Sequence, residues 1–462
     1  MGSKLAMFGG PQAVPREQRQ VQWPIVTDAD KEAVLRVLDS GKFTPTSEGE
    51  QEARALEQEW AQLAGTRYAA GVSNGTAAIA LALAALGIQP GDEVLVPALS
   101  FIASAMAPVY QLAIPVFVDI DPRTFNIDPT QIEARITPRT RAIIPVHFHG
   151  LPADMDSILT IARKHDLVVV EDVAQAPGAT YKGRPVGSLG DMGAFSLNVQ
   201  KNIPTCGEGG LVTTDDPILH EKVVMLRQFG EVIKEREDRS YLSHMLSWNY
   251  KLNSVQAAFT RSQLQRYPDY QERRDRNISA FLKRLAELPG LIVPYVPSDC
   301  THVYHIMRLR FDPAAAGLDG IKPGPFRQAV RRAMRAEGVP ISQYQMTPLP
   351  GQHPFQTQQG YGHGYPWTLP GLPPQRYAIE DYPTTLAVIN DSLTLQRRHL
   401  NPDSGPLLQF YADAFEKVWE NLDRIGRMAE SLPYEAPWEA IAREGPYIPG
   451  AASTSSATVL HE

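Results

Sequence analysis

The sequence is poor in cysteine, with Cys206 and Cys300 as its two examples in 462 residues. Two cysteines cannot build the disulfide framework of a small secreted domain. The sequence also lacks a Cys-x-x-Cys pair and any cysteine–histidine cluster with the spacing of a zinc site. We therefore expect a protein of a reducing compartment, which we take to be the cytoplasm, and we expect no metal site.

Long hydrophobic runs and blocks of positive charge are missing as well. No uncharged apolar stretch reaches the roughly 18 residues that a membrane-spanning helix needs, so we expect no membrane contact. The 51 acidic residues outnumber the 44 basic ones and give a net charge of −7. The arginine pairs at 273–274 and 331–332 lie in helical patterns that predict solvated faces. Since no basic domain is evident, we expect no nucleic-acid partner.

What the sequence does contain is a regular alternation of strand-like and helix-like segments from residue 68 to residue 172. Short runs rich in valine and isoleucine are separated by helical patterns. This arrangement is typical of a largely parallel sheet that is covered on both faces. The predicted strands are Tyr68–Val72, Glu93–Pro97, Ile114–Ile120, Ala142–His147 and Leu167–Asp172.

The pattern changes after residue 191, where two further strands flank a turn that carries Lys201. A long helix is then predicted from Val255 towards Leu285, with a break near Pro268, and it leads into a segment of mixed strands and helices. The predicted parts are an N-terminal arm at 1–26, a large cofactor-binding domain at 27–265, a small C-terminal domain at 266–440 and a flexible tail at 441–462.

Lys201 is the residue with the most informative chemistry. It follows a short apolar strand, and Gly207–Gly210 lies just behind it, so it is expected on a tight turn rather than on a solvated helix. Asp172 ends the apolar run that precedes it, at the sheet edge where ligands collect. Lysine amines form Schiff bases with carbonyl compounds, and enzymes that use pyridoxal phosphate (PLP) pair such a lysine with an acid at the pyridine nitrogen. The alternative for Asp172 is a strand-end acid that caps the next turn.

A phosphate site is predicted at residues 73–76, Ser-Asn-Gly-Thr, where a strand leads into a helix. Backbone N–H groups and the helix dipole favour an anion there, although Ser and Asn are also ordinary N-cap residues. Ser196 lies five residues before Lys201 and is placed to reach the same phosphate, or is a half-buried strand residue.

Two further positions suit a flat cofactor, and a third pattern suggests a metal. Gln175 is placed to hydrogen-bond a phenolic oxygen or to pack against a ring, and Phe101 is either a stacking partner or a core residue. His147 and His149 lie on one face of a predicted strand, as zinc ligands do. Because no third ligand accompanies them, we favour histidines near the cofactor over a metal site.

Taken in order, these motifs resemble those of the DegT/DnrJ/EryC1/StrS family of PLP-dependent aminotransferases. The resemblance runs from about residue 22 to residue 430 and is strongest between 68 and 260. The segments that carry it are Ser73–Thr76, Gly91–Val94, Pro97–Phe101, Asp119–Asp121, Pro145–His147, Glu171–Ala176, Gly183–Asp191, Lys201–Asn202, Gly207–Gly210 and Trp248–Ala258.

The resemblance implies an α/β fold: PLP-dependent transferase fold type I, with a mostly parallel central sheet in a large domain and a smaller α+β domain. It also implies roles for eight residues. Lys201 would hold the cofactor covalently, and Asp172 would bind its pyridine nitrogen. The other implied contacts are Gln175 and Phe101 on the ring, Gly75, Thr76 and Ser196 on the phosphate, and Asn249 in the partner subunit's site.

Because Asn249 would cross between subunits, the implied active unit is a homodimer with shared sites. Lys251 stands where many members have Arg. Sugar dehydratases of this fold carry His in place of Lys201, so the chain is expected to transfer amines. The implied donor is L-glutamine or L-glutamate.

The implied acceptor is a keto group on a sugar or cyclitol, of the nucleotide-keto-sugar or keto-inositol type, in secondary-metabolite or amino-sugar biosynthesis. A PLP-dependent lyase and a non-catalytic PLP-binding regulator are the alternatives. The Gly/Pro/aromatic-rich stretch from Gln352 to Gln375 matches no family pattern. It is either part of a substrate pocket or a surface excursion.

Overall fold

The structure is a computed structural model that describes residues 4–233 and 238–444. Its α-helices are α1 (Asp28–Ser40), α2 (Glu52–Ala64), α3 (Gly75–Ala85), α4 (Ala103–Tyr110), α5 (Met155–His165), α6 (Pro217–Leu226), α7 (Ser254–Leu285), α8 (Pro323–Ala336), α9 (His353–Thr357), α10 (Pro383–Asp391), α11 (Gly405–Trp419), α12 (Leu422–Ser431) and α13 (Pro437–Glu444). Residues 445–462 of the predicted tail lie outside the described residues.

The strands fall into three sheets. They are β1 (Tyr68–Val72), β2 (Glu93–Pro97), β3 (Ile114–Val118), β4 (Thr140–Ile143), β5 (Val168–Asp172), β6 (Thr180–Tyr181), β7 (Arg184–Pro185), β8 (Met192–Ser196), β9 (Gly210–Thr214), β10 (Leu291–Ile292), β11 (Ile306–Phe311) and β12 (Ser392–Gln396).

The central sheet has seven strands in the order β1-β9-β8-β5-β4-β2-β3. Strands β8, β5, β4, β2 and β3 pair in parallel, whereas β9 is antiparallel to both of its neighbours. The prediction of a mostly parallel sheet is confirmed. The carboxyl ends of β5 and β8 therefore meet at one edge, and this edge carries Asp172 and the turn after Ser196.

The central sheet is buried on both faces, which explains why its strands are continuous apolar runs. Helix α3 packs on one face and contributes eight buried Ala, Ile and Leu residues. Helices α2 and α5 cover the other face, where Trp60 packs edge-to-face on Phe195 with ring centroids 5.4 Å apart. This burial fixes the strand register and hence the positions of the polar residues at the strand ends.

The second half of the chain builds an antiparallel sheet, β10-β11-β12, against helices α8 and α11. Helix α7 joins the two halves: it packs on α1 and α2 early in its length and on α11 later. The N-terminal segment belongs to the second core, because Leu5 and Val14 are fully buried in it. The domain boundaries given above remain a prediction, and α7 runs through the one at 265.

The expected break near Pro268 is wrong, because α7 is continuous from Ser254 to Leu285. A proline within a helix costs about 3 kcal/mol through its missing N–H and its clash with the preceding turn. Tyr267 and Tyr270 on either side of it are buried. Burying each of these aromatic side chains stabilises the fold by about 1.5–3 kcal/mol, so together they outweigh the cost of the proline.

Among the described residues, no helix is long and apolar enough to cross a membrane.

Candidate active site

A cavity of about 690 Å³ opens at the carboxyl edge of the central sheet. Its walls come from the start of α3, from α4, from the turn after β8 and from the end of β12. Seven of the eight predicted site residues line it: Gly75, Thr76, Phe101, Asp172, Gln175, Ser196 and Lys201. The eighth, Asn249, does not line the cavity of its own chain.

Lys201 lies on a short loop that the backbone closes tightly. The ladder between β8 and β9 continues past the strand ends, since Leu197 N–H donates to Gly209 O at 2.7 Å and Val199 N–H donates to Gly207 O at 3.0 Å. Lys201 N–H then donates to Asn198 O at 2.8 Å. The loop fixes the lysine backbone, whereas Nζ makes no hydrogen bond or ion pair among the described residues. The amine is therefore directed into the cavity without a protein partner.

The charge of Lys201 is weakened by its surroundings. Removal from water lowers the pKa of its ammonium group from 10.5 to about 8, against the opposing influence of the carboxylates of Asp172 and Glu208. Desolvation disfavours the charged form of an amine, so a substantial fraction of this lysine is neutral near pH 8. A neutral amine is the form that attacks a carbonyl carbon and accepts a proton.

Asp172 is buried and held by two hydrogen bonds. Its Oδ2 accepts from the Ser104 hydroxyl at 2.7 Å, and its Oδ1 accepts from the Ala174 N–H at 3.0 Å. Ser104 is in turn 2.9 Å from Ser100, oxygen to oxygen. These bonds fix the carboxylate plane at the end of β5 and leave acceptor capacity towards the cavity.

The start of α3 forms a cradle of the size and chemistry of a phosphate. Asn74 caps the helix, because its Oδ1 accepts from Ala77 N–H at 2.8 Å. The N–H groups of Gly75 and Thr76 have no hydrogen-bond partner among the described residues, and they lie at the positive end of the helix dipole. The N-cap interpretation and the anion-site interpretation are therefore compatible. The Ser196 side chain faces this cradle.

Gly75 is required at the cradle by close packing. A Cβ at this position would lie 2.6 Å from Ser196 Cβ and 3.1 Å from Ser196 Oγ. Gly210 on the adjoining strand is similarly confined, since a Cβ there would lie 2.6 Å from Asn74 O. The glycines let the helix start and the strands approach each other closely enough to make one small polar recess.

Gln175 is oriented by a buried chain of hydrogen bonds. Its Oε1 accepts from His149 N–H at 2.9 Å, which leaves its NH2 group as the donor on the cavity side. His149 adopts φ of 59°, and its Nε2 accepts from Arg308 Nε at 3.0 Å. Arg308 also donates to Ser392 Oγ at 2.7 Å. Strands β11 and β12 thus support a residue of the large domain.

The histidine pair does not act as one metal site. His147 Nε2 is 2.9 Å from Glu171 Oε2, and its Nδ1 accepts from Ala153 N–H, whereas His149 contacts Arg308. The two rings therefore face different partners. The described residues contain no group of three or more His, Cys, Asp or Glu side chains that is suited to a metal ion.

Sequence reasoning missed Arg397 as a cavity residue. It follows β12 directly, it is buried, and it lines the cavity beside Lys201. Its Nε donates to Asn202 Oδ1 at 3.1 Å, Nη1 donates to Leu400 O at 3.2 Å, and its guanidinium carbon lies 3.8 Å from the Trp23 ring centroid. Its Nη2 makes no hydrogen bond within the described ranges, and no carboxylate pairs with it there. The strand-end position of Arg397 was the available sequence signal.

His305 completes this side of the cavity. Its Nδ1 is 3.3 Å from Asn202 Oδ1, and burial together with the charges of Lys201, Arg397 and Arg274 keeps its pKa well below the ordinary value. His305 is therefore a neutral ring, so Arg397 and Lys201 supply the positive charge among these three neighbours.

Asn249 lies on the outer surface, where Lys251 Nζ donates to its Oδ1 at 2.6 Å. The Lys251 ammonium also lies 4.4 Å from the Phe229 ring centroid. Large apolar side chains are exposed on the same segment: Phe229, Val232, Tyr241, Leu242 and Leu246. Leu246 is 91% exposed, so this segment presents an uncovered apolar surface beside Asn249.

Comparisons with known proteins bear on this site. The sequence model of the DegT/DnrJ/EryC1/StrS aminotransferase family matches residues 24–368. The UDP-N-acetyl-3-dehydro-alpha-D-glucosamine 3-aminotransferase of Acidithiobacillus ferrooxidans is 38% identical over 339 residues, which are 73% of this chain and 85% of that protein.

A second relative, from Streptoalloteichus tenebrarius, is named for L-glutamine:3-amino-2,3-dideoxy-scyllo-inosose aminotransferase activity. It is 38% identical over 341 residues, 73% of this chain and 79% of that protein. Among solved structures, the aminotransferase from Psychrobacter cryohalolentis superposes with a TM-score of 0.74 at 32% identity, and the match covers 87% of this chain and 99% of that one.

Proposed function

This chain belongs to the DegT/DnrJ/EryC1/StrS aminotransferase family, whose members use PLP, and on that premise we propose that it transfers an amino group from L-glutamine or L-glutamate to a keto group on a sugar or cyclitol. The observation that carries the proposal is the neutralisable amine of Lys201, which shares one cavity with Asp172 and the α3 cradle. Amino-group exchange needs these three contacts together.

The residues of the cavity fit PLP. The free N–H groups of Gly75 and Thr76, with the Ser196 hydroxyl, would hold the phosphate. Asp172 would accept from the protonated pyridine nitrogen, and the Gln175 NH2 would donate to the ring hydroxyl oxygen. Phe101, 55% exposed although it lines the cavity, would cover the ring face. When bound, the cofactor supplies an electron sink for the bond that is broken at the amino acid α-carbon.

Lys201 has two tasks in this proposal. It would anchor the cofactor at rest, and once displaced by the donor it would carry the proton from the donor α-carbon. A base works best when its pKa lies near the working pH. The lowered pKa of Lys201, about 8, meets that condition, whereas an exposed lysine would remain protonated.

Arg397 would bind the α-carboxylate of the amino donor. A guanidinium presents parallel N–H groups that match a carboxylate, and Nη2 is unoccupied among the described contacts. The bond from Nε to Asn202 and the Trp23 ring hold the group in place. A buried cation without a carboxylate partner is stabilised when an anion binds beside it. The position of Arg397 therefore favours an α-amino acid, which carries a carboxylate, as the donor.

The acceptor class is proposed from the relatives. One is named for a nucleotide-linked keto-sugar and another for an amino derivative of scyllo-inosose with L-glutamine as donor. Both names describe hydroxylated six-membered rings. We therefore propose a keto-sugar or keto-cyclitol acceptor. Since Cys206 and Cys300 are free thiols, we place the reaction in the reducing cytoplasm.

We further propose that two copies pair through the apolar segment around Leu246, so that Asn249 of each enters the partner subunit's site. Exposed Phe229, Leu242 and Leu246 would be removed from water by pairing. This arrangement accounts for a polar Asn249 that lies outside the cavity of its own chain.

The proposal is tested by following the nitrogen atom. Purified holoenzyme is incubated with L-glutamine labelled with 15N at the α-amino group and with either scyllo-inosose or UDP-N-acetyl-3-dehydro-glucosamine, and the products are weighed by mass spectrometry. Transfer of 15N to a ring compound supports the proposal, and the Lys201→Ala protein is the control that must show none. Release of the 15N as ammonia in amounts well above the enzyme concentration, without labelled ring product, would favour a lyase instead.

A further inference from the structure

Asn202 is the polar link between Lys201 and the second half of the chain. It follows Lys201 directly, and its side chain is buried. Its Nδ2 donates to Val303 O at 2.7 Å, and its Oδ1 accepts from Arg397 Nε at 3.1 Å. Because a carbonyl oxygen only accepts and a guanidinium only donates, these two bonds fix which end of the amide carries the oxygen.

The orientation of Asn202 fixes the tautomer of His305. His305 Nδ1 lies 3.3 Å from Asn202 Oδ1. Because that oxygen is an acceptor, the hydrogen of the neutral imidazole ring is on Nδ1 and is donated to it. Burial and the nearby charges of Lys201, Arg397 and Arg274 keep the pKa of His305 well below the ordinary value, so the second ring nitrogen is unprotonated. Nε2 therefore carries a lone pair and is a hydrogen-bond acceptor.

His305 Nε2 opens into the cavity. The His305 side chain lines the cavity together with Lys201 and Arg397. Nε2 makes no hydrogen bond among the described residues, yet it is not enclosed by protein as the unpartnered Nδ1 of His149 is. A ligand in the cavity can therefore reach this lone pair. The cavity offers a neutral acceptor atom and a cation whose side chains are both held by the oxygen of Asn202.

We propose that His305 binds the amino acceptor, with Nε2 accepting a hydrogen bond from a hydroxyl group on the carbon beside the keto carbon. This inference rests on the proposed function and assigns the donor and the acceptor to two neighbouring side chains. The rings proposed as acceptors carry a hydroxyl on at least one carbon next to the ketone. The keto carbon must be placed where Lys201 acts, and Asn202 joins Lys201 to His305, so the adjoining hydroxyl is the group that meets Nε2.

The two substrates differ in the hydrogen-bonding groups that they bring. The α-carboxylate of the donor only accepts hydrogen bonds, so it suits the Arg397 guanidinium and is repelled by the lone pair of His305 Nε2. A neutral polyol brings hydroxyl hydrogens, which Nε2 can accept and a guanidinium cannot. One cavity can therefore bind an anionic amino acid and an uncharged ring in turn. The side-chain NH2 of L-glutamine is a second group that can donate to Nε2, and the experiment below distinguishes it from the hydroxyl.

Two substitutions separate the two nitrogens of His305. The amide nitrogen of asparagine reaches the position of Nδ1 and no atom reaches that of Nε2, so His305→Asn keeps the bond to Asn202 and removes the acceptor. Glutamine is one carbon longer and its amide oxygen reaches the position of Nε2, so His305→Gln restores an acceptor. His302→Asn is the matched control. His302 is a buried histidine that is not among the described residues lining this cavity, and its Nδ1 accepts from Tyr304 N–H at 2.9 Å.

The measurements follow the two halves of the reaction separately. Holoenzyme is aminated with L-glutamate or L-glutamine, and the return of the starting spectrum is timed at increasing scyllo-inosose or UDP-N-acetyl-3-dehydro-glucosamine. Binding of unreactive scyllo-inositol to the holoenzyme is measured by calorimetry. His305→Asn is expected to raise the acceptor KM and the scyllo-inositol Kd about tenfold, the scale of one hydrogen bond lost in a buried site. His305→Gln should recover part of this loss. The KM values of both donors should stay within about twofold of wild type.

The outcomes that overturn the assignment are distinct. An acceptor KM in His305→Asn within about twofold of wild type overturns it, as does an equal rise in His302→Asn. A rise in the KM for L-glutamine alone would place the donor amide at Nε2, and equal rises for both donors and the acceptor would show a structural role through Asn202. Aminated wild type that reacts with neither ring also overturns the assignment.

Failure of the proposed function gives a different result. If neither L-glutamate nor L-glutamine aminates the wild-type holoenzyme, the proposed function is refuted, and scyllo-inositol binding then decides the role of His305. Weaker binding in His305→Asn than in wild type would still support a hydroxyl at Nε2. Wild-type holoenzyme that does not bind scyllo-inositol, or a His305→Asn protein that binds it as tightly as wild type, would overturn the assignment as well.

Discussion

The contact between Gly75 and Ser196 gives the sharpest structural prediction. In a Gly75→Ala protein the new Cβ would lie 2.6 Å from Ser196 Cβ and 3.2 Å from Ser196 Cα. Carbon atoms in ordinary contact stay at about 3.5–4 Å, so the helix start and the strand must separate by about 1 Å. Overpacking of this kind costs about 1–3 kcal/mol. At the first residue of α3 the better helix propensity of alanine returns at most about 0.5 kcal/mol, so we expect a net loss of about 0.5–2.5 kcal/mol.

The loss should be visible in two assays. Urea unfolding of the cofactor-free protein should give the reduced stability, and a fluorescence titration with PLP should show binding weakened about tenfold or more. The second effect follows because separation of Ser196 from the N–H groups of Gly75 and Thr76 opens the phosphate cradle, and a charge-assisted hydrogen bond is worth about 1.5–3 kcal/mol.

A double variant isolates the cause. Gly75→Ala with Ser196→Gly removes the atoms that clash, so the stability should return close to that of Ser196→Gly alone, with a coupling energy of about 1–2 kcal/mol. PLP binding should stay weak, because the hydroxyl is gone. Wild-type stability together with wild-type PLP affinity in Gly75→Ala would refute the packing argument. So would a double variant that is less stable than Ser196→Gly alone by as much as Gly75→Ala is less stable than wild type, since the coupling energy would then be zero.

Three further predictions concern the charged groups of the cavity. Cofactor-free Lys201→Met should be more stable than wild type by at most about 3 kcal/mol below pH 8. The folded-state pKa of about 8 lies below the ordinary 10.5, so wild-type stability rises with pH between these values. Urea unfolding should therefore show that the difference in free energy of unfolding between Lys201→Met and wild type is smaller at pH 10 than at pH 7. An equal difference at the two pH values would contradict the account. Arg397→Met should raise the KM for L-glutamate at least about tenfold with little change in the acceptor KM, and Arg397→Lys should recover part of the loss. Steady-state kinetics with each substrate varied in turn measures the two KM values. Equal increases in the KM for L-glutamate and in the KM for the acceptor would count against donor recognition. Asp172→Asn should keep the fold by thermal denaturation yet lower the rate of amination by L-glutamate about 100-fold or more, since an amide no longer stabilises the protonated pyridine nitrogen; a rate within about threefold of wild type would contradict that role.

Much of the large domain was predictable because its elements are locally determined. The predicted strands at Tyr68–Val72 and Glu93–Pro97 coincide with β1 and β2 of the structure. The family resemblance, the fold type I architecture and the PLP cofactor are confirmed. Lys201 and Asp172 could be paired in advance because Asp172 ends one strand of a parallel sheet and Lys201 follows another, and such strand ends share one edge.

The remaining features depend on contacts between distant parts of the chain. Arg397 meets Asn202 across 195 residues, and Tyr377 meets Pro115 across 262 residues. Neither pairing leaves a local pattern. The continuity of α7 through Pro268 was likewise decided by tertiary packing rather than by local propensity. The roles given to the site residues, including Asn249, remain predictions to be tested by the variants above.

The central claim is that Lys201 is the residue that binds PLP, and chemical trapping tests it most directly. Holoenzyme is reduced with sodium borohydride, which adds hydride across the carbon–nitrogen double bond and leaves a stable amine link, and the digested protein is sequenced by mass spectrometry. The account predicts a phosphopyridoxyl adduct on Lys201, and loss of that adduct when excess L-glutamate is added before reduction. An adduct on another lysine, or one on Lys201 that L-glutamate and L-glutamine both leave in place, would contradict the account.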